Sequence, residues 1–348
     1  MPEELQLGLD TFGDVTVDAA GRTLTHAQVI RDVVTEAIRA EEVGLDFIGI
    51  GEHHRPDFAV SAPDVVLASI AARTSRIRLG SAVTVLSSDD PVRVFERFST
   101  LDALSNGRAE VMLGRGSFIE SFPLFGFALE DYHVLFEEKL ELFVTLLEQQ
   151  PVTWSGRTRA PLQGQRVFPP TESGSLRTWV AVGGSPESVV RAARHGLPLT
   201  LAIIGGEPLR FLPLVELYHR ALEQFGKPRQ PVGAHCPGHV AGTDERARDE
   251  LWPHYAAMHT RIGRERGWPP MTREQFDLLC GPDGAFFVGA PQSVATKIVK
   301  VVNGLGLSRF DLKYSAGTLP HEQMMASIDL YGRKVAPLVR EQVPRPEG

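Results

Sequence analysis

Residues 47–55 read Phe-Ile-Gly-Ile-Gly-Glu-His-His-Arg. Four apolar residues without polar alternation are too few for a helix and fit a short strand buried on both faces. Gly51 and a polar cluster then leave that strand together. Buried strands of this kind belong to parallel sheets, which need helices on either side. Both flanks supply one. Upstream, Thr25 is predicted to cap a helix from about His26 to Val43, with Val29, Val33, Ala37 and Ala40 at helical spacing and Gly44 as its left-handed end. Downstream, Ser61 opens a helix to about Arg73, with Pro63 and Asp64 in its first turn.

The same alternation runs the length of the chain. Further strands are expected at 5–9, 77–83, 109–113, 178–182, 199–204, 232–240 and 309–314. Helices are expected at 91–104, 131–148, 186–195, after strand six to about 224, at 243–261 and at 322–339. Eight βα units predict an α/β TIM (β/α)8 barrel with insertions, in one domain over 1–348. A doubly wound sheet is the competing fold. The Gly/Pro-rich stretch 151–174 reads as an excursion or hairpin, and 262–284 reads as a lid near the barrel mouth.

Composition limits the partners. The 348 residues are 43% hydrophobic and carry a net charge of −7, whereas a broad nucleic-acid footprint wants a basic face. The two cysteines, Cys236 and Cys280, form no C-x-x-C pair, so neither a disulfide framework nor a thiolate cluster is expected. No apolar run approaches the ~20 residues of a membrane span, and the first residues carry acids where a signal peptide needs bases. The expectation is a cytoplasmic protein, with no membrane and no nucleic acid among its partners.

In a barrel of this kind chemistry sits just past the C-terminal strand ends. After strand two come Glu52, His53 and His54: an imidazole can move protons near neutral pH and a carboxylate can fix its tautomer. A solvated loop is the plain alternative. A metal site would need ligands not evident at recognisable spacing, so none is assigned. After strand four, Arg115 stands between Gly114 and Gly116, where its fork suits a phosphate. After strand five, Gly183 and Gly184 precede Ser185 and Pro186, a capped helix start with bare amides that suits an anion, and Ser188 adds a hydroxyl one turn in. An ordinary loop arginine and an ordinary capped helix would look the same. Phe12, Phe118, Trp252 and Phe286 are candidate pocket aromatics, with core packing as the competing role.

Taken in order, Glu52-His53-His54, the run from Arg78 to Leu86, Asp90-Pro91-Val92-Arg93, Leu104 to Arg108, Gly114-Arg115-Gly116, Gly183 to Ser188 and His195 to Pro198 resemble the bacterial luciferase-like flavin-dependent monooxygenases. The resemblance covers at least residues 5–205. It implies a TIM barrel that binds FMN, often reduced FMN supplied by a separate flavin reductase. By position it makes His53 the catalytic histidine and Glu52 its neighbouring acid. It makes Arg115, Gly183, Gly184, Ser185 and Ser188 the phosphate-binding residues. Ala82 and Val83 would join through a cis peptide under the flavin ring. It further implies a homodimer, dioxygen and a small organic molecule as substrates, and oxygenation through a flavin hydroperoxide with His53 moving a proton. Gly114 stands where the luciferase catalytic subunit has a cysteine, Gly183-Gly184 replaces a less flexible pair and 206–284 has no counterpart, departures that count against light emission and an aldehyde substrate. The competing functions are a deazaflavin-coenzyme-dependent reductase or dehydrogenase, a flavin-binding protein without turnover, and a metal-dependent hydrolase on the same barrel.

Overall fold

The structure is a computed structural model that describes residues 4–116 and 118–343. Eight parallel strands close on themselves: β1 (Gln6–Thr11), β2 (Phe47–Ile50), β3 (Arg78–Ser81), β4 (Ala109–Gly114), β5 (Arg177–Val182), β6 (Leu199–Ala202), β7 (Val232–Val240) and β8 (Arg309–Lys313). Closure is made by β8 against β1, with Gln6 opposite Arg309 and Asp10 opposite Lys313. This is the TIM barrel the alternation predicts.

Strand periodicity sorts the residues. Leu7, Leu9, Ile48, Ile50, Leu79, Val111 and Leu113 join one continuous apolar cluster with the surrounding helices. The alternate positions behave differently. Glu110, Arg309 and Trp179 fill the N-terminal end of the barrel, with Arg309 Nη1 2.8 Å and Trp179 Nε1 3.0 Å from Glu110 Oε2. Higher up, a Cβ added at Gly8, Gly49 or Gly80 would run into Phe47. The Phe47 side chain thus occupies the room that these glycines leave.

Local chemistry explains several element ends. Thr25 accepts from the Gln28 amide at the start of α1 (His26–Glu42), and Gly44 follows it with φ +82°. Helix α2 (Pro63–Ala71) starts at Ala62 without a side-chain cap, so Ser61 does not open it: proline fixes the first turn instead. The expected strand 77–83 stops at Ser81 and resumes as the two-residue strand Thr84–Val85, with a cis Ala82–Val83 peptide between them. The excursion 151–174 holds an antiparallel pair, Val152–Trp154 with Leu162–Gln165.

The region after β7 departs from expectation. The helix predicted for 243–261 runs from Asp244 to Arg266, and a second helix, Arg273–Cys280, follows it. A short strand, Phe287–Gly289, then adds to the upper end of β7. The helix that returns down the barrel wall is Pro291–Leu305. The excursion therefore includes both helices and begins well before residue 262. Among the described residues, no helix is long and apolar enough to cross a membrane.

Candidate active site

A cavity of about 350 Å³ opens at the C-terminal ends of the strands. It gathers residues from eight stretches of the chain, among them Phe12, His53, Ala82, Arg115, Ser188 and His235. Small side chains make the space. A Cβ at Gly51 would lie 2.5 Å from Phe12, and one at Gly114 would lie 2.5 Å from Val83. At Gly183 a Cβ would meet nothing within 4 Å, so that stretch of wall is open.

Glu52 is built into the wall by its hydrogen bonds. Its amide donates to Val83 O at 3.1 Å, Oε2 accepts from the Val85 amide at 2.8 Å, and Oε1 accepts from His54 Nε2 at 2.8 Å. Glu52 thereby clamps the chain on both sides of Thr84, with its amide at Val83 and its carboxylate at Val85. His53 points the other way, as neighbours on extended chain do. Its ring lies 4.6 Å from Phe12, 4.3 Å from Phe58 and 5.4 Å from Phe118. Burial in this box, helped by the nearby Lys313, His54 and Arg55 and opposed by Asp14, pushes its pKa down to about 3. At neutral pH His53 is a neutral imidazole, and its Nδ1 has no hydrogen-bond partner.

The opposite wall carries the anion-compatible groups. Arg115 Nη1 is 3.3 Å from His133 Nδ1, and the guanidinium lies 4.9 Å above the Tyr132 ring. Ser185 caps helix α5 (Pro186–His195), counted as the fifth barrel helix, by accepting from the Ser188 amide. Arg191 Nη1 donates to Ser188 Oγ at 3.2 Å, which adds positive charge behind that hydroxyl. Arg115, Gly183 and Ser188 all face the cavity, while Gly184, with φ +115°, and Ser185 form the turn that carries them. Ser117, which follows Gly116, lies outside the described residues.

Of the four candidate aromatics, Phe12 and Phe118 line the cavity. Trp252 and Phe286 do not: they pack with Phe276 and Tyr255 beneath the excursion helices, where Trp252 lies 5.2 Å from Phe276 and Phe286 lies 4.7 Å from Tyr255. Aromatic type cannot distinguish a pocket wall from a satellite core.

Sequence reasoning missed a carboxylate–imidazole pair. Asp10, on the inner face of β1, lies 2.6 Å from His235 Nδ1 on β7, and both line the cavity. The one charged residue of β1, Asp10, was the available signal. Nearby, Lys313 Nζ pairs with Asp14 at 2.7 Å and lies 4.5 Å from the Phe12 ring centre. Among the described residues, no group of three or more His, Cys, Asp or Glu side chains is placed to hold a metal ion.

A polar rim over a glycine-lined hollow at the strand ends defines a ligand-binding TIM barrel. Comparison with known proteins narrows the class. The family model described as luciferase-like monooxygenase matches residues 11–309, and the chain belongs to that family. It is 24% identical over 366 residues to the alkanal monooxygenase alpha chain of Photorhabdus laumondii, covering 95% of this chain and 98% of the relative. It is 30% identical over 253 residues to the N-acetyl-S-alkylcysteine monooxygenase of Bacillus subtilis, covering 71% and 67%. Among solved structures, a monooxygenase from Streptomyces bottropensis superposes with a TM-score of 0.82 at 20% identity, covering 96% of this chain and 99% of that one. The oxygenating constituent of 3,6-diketocamphane monooxygenase from Pseudomonas putida, solved with FMN, gives 0.76 at 17% identity, covering 96% and 98%. A secondary alcohol dehydrogenase solved with an F420–acetone adduct gives 0.73 at 16% identity, covering 97% and 99%.

Proposed function

We propose that this protein is a flavin-dependent oxidoreductase, and specifically an FMN-dependent monooxygenase acting on a small organic substrate with dioxygen. The observation that carries the reading is the meeting, in one cavity, of Arg115 and Ser188 with a wall of small residues. The first pair suits a phosphate, and the second suits a flat ring. FMN, when bound and reduced, supplies the electrons that activate dioxygen. Arg115 and the turn of Gly183, Gly184, Ser185 and Ser188 bind its phosphate. Ala82 and Val83 flank its ring. Glu52 keeps that wall in place through the Val85 amide. Phe12 and Phe118 exclude water, which protects reactive species from side reactions. His53 serves as a neutral hydrogen-bonding group beside the reacting centre, consistent with its depressed pKa. The reading includes a cytoplasmic homodimer served by a separate flavin reductase.

The second reading is a deazaflavin-dependent reductase or dehydrogenase, favoured by the fold shared with the F420-dependent dehydrogenase. Titration of the purified protein with FMN and with F420, each oxidised and reduced, separates the two by visible absorbance. FMN binding together with substrate-dependent dioxygen uptake supports the monooxygenase. Binding of F420 alone transfers the assignment to the second reading, and binding of neither removes both.

A further inference from the structure

We infer that His235, held by Asp10, is the residue that moves protons in this cavity, with Asp10 as its positioning residue. The inference rests on the flavin reading and assigns a task within it.

The pair spans the inside of the barrel. Asp10 lies on β1 and His235 on β7, and β8 runs between them with Asp311 opposite His235 and Lys313 opposite Asp10. Asp10 is 1% exposed, and its Oδ2 lies 2.6 Å from His235 Nδ1. A carboxylate accepts and does not donate, so Nδ1 carries the proton of the neutral ring. The nitrogen left for the cavity is Nε2, with a bare lone pair. This is the arrangement by which a buried carboxylate selects the tautomer of a general base. Phe12 stacks on the imidazole with planes 13° apart and ring centres 6.0 Å apart, which limits ring rotation.

His53 lacks these features. Its box is made of three phenylalanine rings and its Nδ1 is unbonded. Asp14 acts on His53 only through its charge and the ring's Nδ1 has no hydrogen-bond partner, whereas His235 is hydrogen-bonded to Asp10. In the transfer, the O–H or N–H bond of the bound molecule breaks as Nε2–H forms, and Asp10 balances the positive charge on the ring. The proton then passes from Nε2 to the atom of dioxygen that is not transferred; its O–O bond breaks with the two electrons that the reduced cofactor of the flavin reading would supply, and that atom leaves as water. The charged or titratable groups around His235 are Asp10 from β1, Asp311 and Lys313 from β8, and His53 beyond Phe12. Strand β6 contributes only Thr200 and Ala202.

The first test needs no cofactor. Nitrogen-15 NMR of the ring nitrogens should find His235 protonated at Nδ1 in the wild type, with Asp10→Asn losing that preference. A His235 protonated at Nε2 overturns the inference. The second test follows reoxidation by dioxygen of protein-bound FMN reduced with dithionite, as a function of pH. His235→Gln should bind FMN within about threefold of wild type, yet slow the proton-dependent phase by about 10²-fold and flatten its pH profile. Asp10→Asn should shift that profile, and Asp10→Glu should recover part of it. A His235→Gln protein that binds FMN and keeps the wild-type profile overturns the inference. If Asp10→Asn does not fold, His235→Gln carries the test alone. If the wild type fails to bind FMN, the flavin reading falls, and the tautomer measurement still decides the pair.

Discussion

Arg55 and Glu265 meet across the mouth of the barrel through two hydrogen bonds of 2.8 and 2.7 Å, although 210 residues separate them. Arg55 also pairs with Asp57 and Glu120, and Arg261 pairs with Asp57 at 3.0 Å. Arg266 lies 4.8 Å from the Phe118 ring centre. The last turns of the long excursion helix are therefore tied over the cavity largely by charge. Glu265 is half exposed, so salt screens its share of the tie. Glu265→Gln should speed amide exchange in residues 261–266 while leaving the barrel strands unchanged. Raised ionic strength should do the same to the wild type and little more to the variant. Unchanged exchange in both cases would show that packing, and not charge, holds this helix.

That tie shows where sequence reasoning stops. Short apolar runs such as Phe47–Ile50, punctuated by Thr25, Gly44 and Ser185, sufficed for the barrel, because strand length and helix caps are local properties. The return helix Pro291–Leu305 was a different matter. The helix beginning at Asp244 has the right length and follows β7 directly, so it occupied that place in the pattern. Only the pairing of Phe287–Gly289 with the upper end of β7 shows that the chain comes back to the barrel later. The site divides similarly. Glu52, His53 and Arg115 are conspicuous because each stands beside a strand end. Asp10 and His235 stand within their strands and not past the strand ends, and their pairing depends on closure of the barrel.

Arg115 offers a direct test of which end of the cavity takes a phosphate. Its guanidinium rests on Tyr132 and touches His133, two neighbours that leave most of its N–H donors for a ligand. A charge-assisted hydrogen bond contributes roughly 1.5–3 kcal/mol, about 10- to 150-fold in affinity. Arg115→Ala should weaken FMN binding by that range and change riboflavin binding by much less. Fluorescence titration with the two flavins gives the ratio. Equal losses for both would move the phosphate away from Arg115.

Glu110 sets the acid limit of the barrel. It is 1% exposed and bonded to Arg309, Arg78 and Trp179, with Arg177 3.8 Å away. Burial alone would raise its pKa, but the charges of Arg309, Arg78 and Arg177 outweigh burial and bring it down from 4.5 to about 2. A carboxyl with a folded pKa below its unfolded value contributes stability that is complete above the unfolded value and lost as pH falls through the folded one. The melting temperature of the wild type should therefore fall between pH 4.5 and about 2 as this group is protonated. Glu110→Gln leaves buried guanidinium charge uncompensated, a change that costs roughly 3–5 kcal/mol near neutral pH. The variant should then be much less stable at pH 7 and lose less further stability across the acid window than the wild type, because its residue 110 no longer titrates while other depressed carboxyls such as Glu250 still do. Parallel pH profiles for the two proteins, measured by thermal unfolding, would assign the acid sensitivity to other carboxyls and leave Glu110 as a packing residue.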